Sequence, residues 1–139
     1  MELTEYFQPG MYKETTFEVT EEHSAIQLGS GSLRVLATPM MIRFMEITSH
    51  RLLEQHLPDG FSSVGYHLDI HHQAPTPINN PVRVRAEILE LNKFKVSFSV
   101  KAWDDIEQVG EGLHQRVVID LARFMKRVEA KMKALSGSK

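Results

Sequence analysis

The stretch Thr38-Pro39-Met40-Met41-Ile42-Arg43-Phe44-Met45-Glu46 limits the choice of fold more than any other part of the chain. Threonine followed by proline opens a helix, because Thr38 can cap free N–H groups and Pro39 has no N–H to lose. The pattern predicts a helix to about Leu57. At about 100° per residue, Met40, Met41, Ile42, Phe44, Met45, Ile47, Leu52, Leu53 and Leu57 cover most of its circumference. Only Arg43, His50 and Glu54 gather into a narrow polar stripe. Such a helix must be enclosed on nearly every side. Glu46 falls between Ile42 and Leu53, at the border of the apolar surface, where a carboxylate is costly without a partner.

The rest of the chain supplies the enclosure. Thr15 to Thr20 alternates and reads as a first strand, followed by a polar, glycine-containing loop from Glu21 to Ser32 that is expected to be mobile. After Pro58-Asp59-Gly60 ends the helix, a second strand spans about Ser63 to Gln73. Strict alternation there puts Val64, Tyr66, Leu68, Ile70 and His72 on one face, with His67, Asp69 and His71 on the other. Beyond the turn Pro75–Pro81, Val82 to Leu91 and Phe94 to Trp103 form a hairpin joined at Asn92-Lys93. A last strand, Ile106 to Asp120, contains Gly110 and Gly112, which suggest a bulge or a close approach. Asp120 can cap a final amphipathic helix from Leu121 to about Leu135.

With 139 residues the chain makes one domain, 1–139, without repeats or a linker. Each antiparallel strand has one face to bury, and one long helix is apolar enough to bury it. A sheet wrapped around that helix, the α+β hot-dog architecture, is the simplest solution.

Composition narrows the function. A net charge of −2 gives no electrostatic reason for nucleic-acid binding, and the absence of cysteine removes disulfides, thiolate metal sites and a cysteine nucleophile. Met1-Glu2-Leu3-Thr4-Glu5 lacks the basic and apolar segments of an export signal, and no run approaches the roughly 20 apolar residues of a membrane span. A cytoplasmic protein with no membrane association is expected. Serine-hydrolase, P-loop and dinucleotide motifs are absent.

Three polar residues remain to be explained. Thr38 reads as an N-cap, and equally as a nucleophile or a hydrogen-bond partner at a helix end whose N–H groups stabilise an oxyanion. Glu46 is a structural carboxylate or a general base. His72 shares the inward face of its strand and is a core histidine or a catalyst. His67 and His71 point away from it and no inward carboxylate joins them, so no metal or redox cofactor is expected.

Ala37 to Glu46 resembles the start of the central helix in the fluoroacetyl-CoA thioesterase family of hot-dog proteins. His72-Gln73-Ala74-Pro75-Thr76-Pro77 resembles that family's histidine-bearing strand end, and Gly110 to Ile119 its last strand. The likeness runs from about Phe17 to Lys126. It implies a catalytic set of Thr38, Glu46 and His72 acting on an acyl-CoA thioester, with coenzyme A as part of the substrate. It also implies a homodimer, or a tetramer, with active sites between protomers. Pro39, Met40, Gly112, His114 and Arg116 are expected to contact substrate, the last two near the interface. Where the fluoroacetyl-specific member has phenylalanines before the threonine, Gln27 to Leu36 holds Gly29-Ser30-Gly31-Ser32, so a fluoroacetyl preference is not expected. The alternative is an acyl-CoA-binding sensor without turnover.

Overall fold

Five antiparallel strands curl around one long helix in the computed structural model, which describes residues 1–137. In chain order the principal elements are β1 (Tyr12–Val19), the one-turn helix α1 (Ala25–Leu28), α2 (Thr38–Glu54), β2 (Phe61–His72), β3 (Asn80–Asn92), β4 (Lys95–Trp103), β5 (Gln108–Asp120) and α3 (Leu121–Gly137). The sheet order is β1-β3-β4-β5-β2, every neighbouring pair antiparallel. This is the α+β hot-dog fold that the patterning predicts.

The alternation in β3 and β4 does what a period of two requires. Val82, Val84, Ala86 and Ile88, with Val96, Phe98, Val100 and Ala102, are all buried toward α2. Opposite them Met41, Phe44, Met45, Leu52 and Leu53 fill the hollow of the sheet, and Phe44 stacks on Phe17 of β1 with ring centroids 4.2 Å apart. Thr48 and Ser49 are buried here too, and each hydroxyl donates to the carbonyl one turn back, Phe44 O at 2.9 Å and Met45 O at 2.8 Å. Their polarity is thus satisfied inside the helix itself.

Several boundaries differ from the sequence reading. α2 stops at Glu54 rather than near Leu57, because a residue before proline (Pro58) is pushed out of the α region. The β3–β4 turn is Lys93-Phe94, not Asn92-Lys93: Asn92 pairs with Lys95, and Lys93 takes the left-handed φ of 57°. Phe94, expected to begin the strand, is therefore half exposed at the turn. Glu21 to Ser32 is not a plain loop, since it holds a 3₁₀ turn at Glu21–His23 and then α1, capped by the Ser24 hydroxyl.

The correction with most consequence is in β2. Gly65 pairs with Arg116 and His67 with Gln115, so Tyr66 is an extra residue and the strand changes phase there. Ser63 and Gly65, rather than Val64 and Tyr66, face the same side as Leu68, Ile70 and His72.

Candidate active site

Thr38 is the first residue of α2 but not its cap. The N-cap is Ala37, whose carbonyl accepts from the Met40 and Met41 N–H groups at 3.0 Å each. The Thr38 hydroxyl is left for something else, and it lies 2.6 Å from Nδ1 of His72 at the end of β2. Of the nearby amides, Pro39 has none and those of Met40 and Met41 are engaged. The Thr38 N–H and the positive end of the helix are what remain to face a ligand.

Burial depresses the pKa of His72 below the ordinary histidine value, only partly opposed by the Ala74 backbone, so the ring is neutral at pH 7. Its Nε2 is buried without a hydrogen-bond partner among the described residues. A buried polar atom left unpaired costs free energy, and such costs concentrate at functional sites. Thr38 and His72 open onto a cavity of about 340 Å³. The segment Ala25–Ala37 forms one side of it and Gln73–Pro75 the other.

Glu46 is elsewhere. Eight residues of helix separate it from Thr38, about 12 Å along the axis, and its partner is Arg116, with Nη1 3.5 Å from Oε2. Arg116 is almost fully buried and held from several directions. Its Nε donates to Ser63 Oγ at 2.9 Å, Nη2 to the Ser63 carbonyl at 3.3 Å, and Nη1 to His114 Nε2 at 3.2 Å. His114 in turn donates from Nδ1 to the His67 carbonyl at 2.8 Å, which fixes it as the neutral tautomer. Burial lowers the pKa of both groups, and the Glu46 charge opposes that in each. Ser63 Oγ also lies 2.9 Å from Nδ1 of His50, so the network continues across α2.

Thr38 and His72 therefore meet within one chain, and Glu46 stands apart from them. The catalytic set that the resemblance implies, Thr38, Glu46 and His72, does not line one cavity within a single chain. Glu46 and His114 line a separate cavity of about 280 Å³ with Gly65, Tyr66, His67 and Leu68. Pro39 and Met40 stand at the helix opening beside Thr38, and Met40 packs partly into the core. Gly112 lies against the backbone of Asp69 and Ile70 and outside the Thr38 cavity; it serves the β5–β2 approach.

Ser63, Gly65 and His50 were missed as site residues. A Cβ at Gly65 would stand 2.8 Å from Glu46 Oε2, so this glycine makes room for the carboxylate. The signal was a glycine inside a strand, which strict alternation passed over. Among the described residues, no group of three His, Asp or Glu side chains is placed to hold a metal ion.

Comparison with known proteins adds a family to this geometry. The family profile described as fluoroacetyl-CoA-specific thioesterase matches residues 19–122. A fluoroacetyl-CoA thioesterase of Streptantibioticus cattleyicolor is 34% identical over 100 residues, covering 72% of each chain. The solved fluoroacetyl-CoA thioesterase FlK superposes with a TM-score of 0.85 at 28% identity, over 90% of this chain and 97% of that one. A hot-dog-like protein from Thermanaerovibrio acidaminovorans gives a TM-score of 0.88 at 26% identity, over 94% and 97%. With the profile spanning most of the chain and the fold shared over 90% of it, this protein belongs to the fluoroacetyl-CoA-specific thioesterase family, hot-dog enzymes that hydrolyse acyl-CoA thioesters.

Proposed function

We propose that Thr38 and His72 are the attacking unit of this thioesterase, with Glu46 completing the site. The observation that carries the reading is the 2.6 Å contact between the Thr38 hydroxyl and Nδ1 of His72 at the mouth of a cavity. A hydroxyl hydrogen-bonded to a neutral imidazole is the arrangement of a nucleophile and its base. The Thr38 oxygen adds to the thioester carbonyl carbon as His72 takes its proton. The C–S bond then breaks, and the proton passes to the coenzyme A sulfur. Glu46 takes a proton from water as the hydroxide adds to the acyl ester, and gives it to the Thr38 oxygen as the ester C–O bond breaks, which releases the carboxylic acid and restores the hydroxyl. These steps use side chains alone and coenzyme A only as part of the substrate, so a chelator should leave turnover unchanged.

The site is expected to be complete in a homodimer. Within one chain the Thr38–His72 pair and the Glu46–Arg116 cluster line different cavities, and a second protomer would have to bring them to one substrate. β2 supports this, because it is a twelve-residue edge strand with an open row of backbone donors and acceptors.

Thiol release from acyl-CoA, followed with intact-protein mass spectrometry under rapid quench, tests the mechanism. The expected result is an added acyl mass in the wild type that disappears in Thr38→Ala. Undiminished turnover in Thr38→Ala would mean that water, not Thr38, attacks. Binding of acyl-CoA without thiol release would make the protein a sensor.

A further inference from the structure

The wall of the Thr38–His72 cavity is built to leave space. Ala25, Ser30, Ala37 and Ala74 contribute side chains of one or two heavy atoms, Val35, Leu36 and Pro75 add aliphatic surface, and Thr38, His72 and Gln73 supply the polar part of the wall. Within the single chain these side chains leave a cleft of about 340 Å³, open to solvent on one side and larger than the three heavy atoms of an acetyl group require. A site meant for so small a group would exclude water by filling that volume.

The flap that carries half of this wall is anchored at its base. Ala25 N donates to Val35 O at 2.9 Å and Ile26 N to Leu33 O at 3.2 Å. Arg34 grips Glu21 through Nη2 at 2.7 Å and Nε at 3.1 Å, and Leu36 N donates to Thr76 O at 2.8 Å. At the tip, Ser30 N bonds back to Ala25 O at 3.1 Å, and a Cβ on Gly31 would stand 3.2 Å from that of Ala25. The tip is thus folded closely onto Ala25. Ile26, Leu28 and Leu33 on the same flap are solvent-exposed aliphatic side chains, between 43% and 67% accessible.

We propose that the acyl group of the substrate is an unbranched aliphatic chain of about four to eight carbons, held between Ala25, Val35 and Ala74, whose small size sets the length accepted. The proposal rests on the thioesterase reading above and deepens it by naming the substrate class. The cavity takes the first carbons beyond the thioester. The exposed aliphatic tip of the flap then offers apolar surface to a chain that emerges.

The test is a series of kcat/KM values from acetyl- to decanoyl-CoA, with fluoroacetyl-CoA beside acetyl-CoA, for the wild type, Ala25→Phe and Ala74→Val. Wild-type values are expected to rise three- to fourfold per methylene to about six carbons, the fold-change that corresponds to about 0.8 kcal/mol per buried CH₂. The hexanoyl-to-acetyl ratio then reaches about a hundredfold, with fluoroacetyl close to acetyl. Ala25→Phe should collapse that ratio toward one, and Ala74→Val should lower it by a smaller factor. The ratio is read within each folded variant, and the wild-type series stands alone if Ala25→Phe fails to fold.

A flat or falling wild-type series, or a fluoroacetyl preference of several orders of magnitude, would overturn the proposal while leaving the thioesterase reading intact. Equal loss at every chain length in the variants would also overturn it, because the space would then serve the coenzyme A arm common to all substrates. No thiol release from any acyl-CoA would instead overturn the thioesterase reading, and the proposal with it.

Discussion

α2 and α3 are both helices of 17 residues, and both read as good helices with an apolar side, yet the fold treats them in opposite ways. α2 has seven buried residues, five of them apolar, and α3 has none. In α3, Leu121, Phe124, Met125, Val128, Met132 and Leu135 fall within about 100° of its circumference, as regular a stripe as a surface helix offers. Leu121, Met125, Met132 and Leu135 stay between 43% and 63% accessible. The opposite side is cationic, carrying Arg123, Lys126, Arg127 and Lys133, with Lys131 and the one acid, Glu129, on the flanks of the stripe. Amphipathicity says that a helix has a face to bury and not that a single chain provides the surface. α2 has the hollow of the sheet, whereas α3 follows β5 outward, meeting the body only near its base, where Phe124 and Arg127 border a groove with Phe61 and Phe94.

Substitutions in the enclosed body and in α3 test this contrast. The largest effect is expected in catalysis. Glu46→Gln keeps shape and fold but removes the base, and should lower kcat by about 10²–10⁴-fold. Glu129→Gln in α3 should leave kcat unchanged. Near wild-type kcat in a folded Glu46→Gln protein would remove Glu46 from the mechanism.

Next comes packing. Phe44→Ala should cost about 3–5 kcal/mol in urea unfolding, because Phe44 is fully enclosed and stacked on Phe17. Met132→Ala should stay within about 0.5 kcal/mol, the range of exposed substitutions. A cost at Met132 comparable to that at Phe44 would mean that a second copy covers the α3 stripe, and the two helices would no longer differ.

Gly65→Ala should lower kcat by about 10–10²-fold with the fold retained, since the new Cβ displaces the Glu46 carboxylate. Unchanged kinetics in that variant would show that the position of the carboxylate does not matter.

The smallest effect is a drift with pH, and it belongs to the body alone because α3 has no histidine. Burial lowers the pKa of His50, His72 and His114 in the folded protein. The unfolded chain therefore binds protons at a pH where the folded chain does not. Their contribution leaves stability undiminished above about pH 6.5 and erodes it as pH falls from there through the folded-state values. Urea midpoints from pH 8 to 5 should decline on that acid side, and kcat/KM should hold to below pH 6.5 while His72 stays neutral. A midpoint that rises on acidification would contradict the burial of these rings.

Local patterning carries the fold and names the candidate site residues. An apolar helix that nothing but a surrounding sheet could bury, followed by strands alternating at period two, left little but a hot-dog arrangement, because burial of apolar faces is local in its pattern and global in its demand. Glu46 and His72 stood out for the same reason, as polar groups where the pattern called for apolar ones, and Thr38 stood out as the hydroxyl at a helix N-terminus. Tertiary structure decided which of them meet. Thr38 reads as a cap from its neighbours alone, but Ala37 takes that position and the hydroxyl turns to a histidine 34 residues away. The one-residue bulge at Tyr66 brings Ser63 and Gly65 onto the interior face, where Ser63 holds Arg116 and Gly65 admits Glu46. A single inserted residue inverts the phase of everything before it, and only pairing with β5 fixes where that residue is. The bare face of α3 is of the same kind: its stripe is written in the sequence, and its exposure follows from where β5 ends.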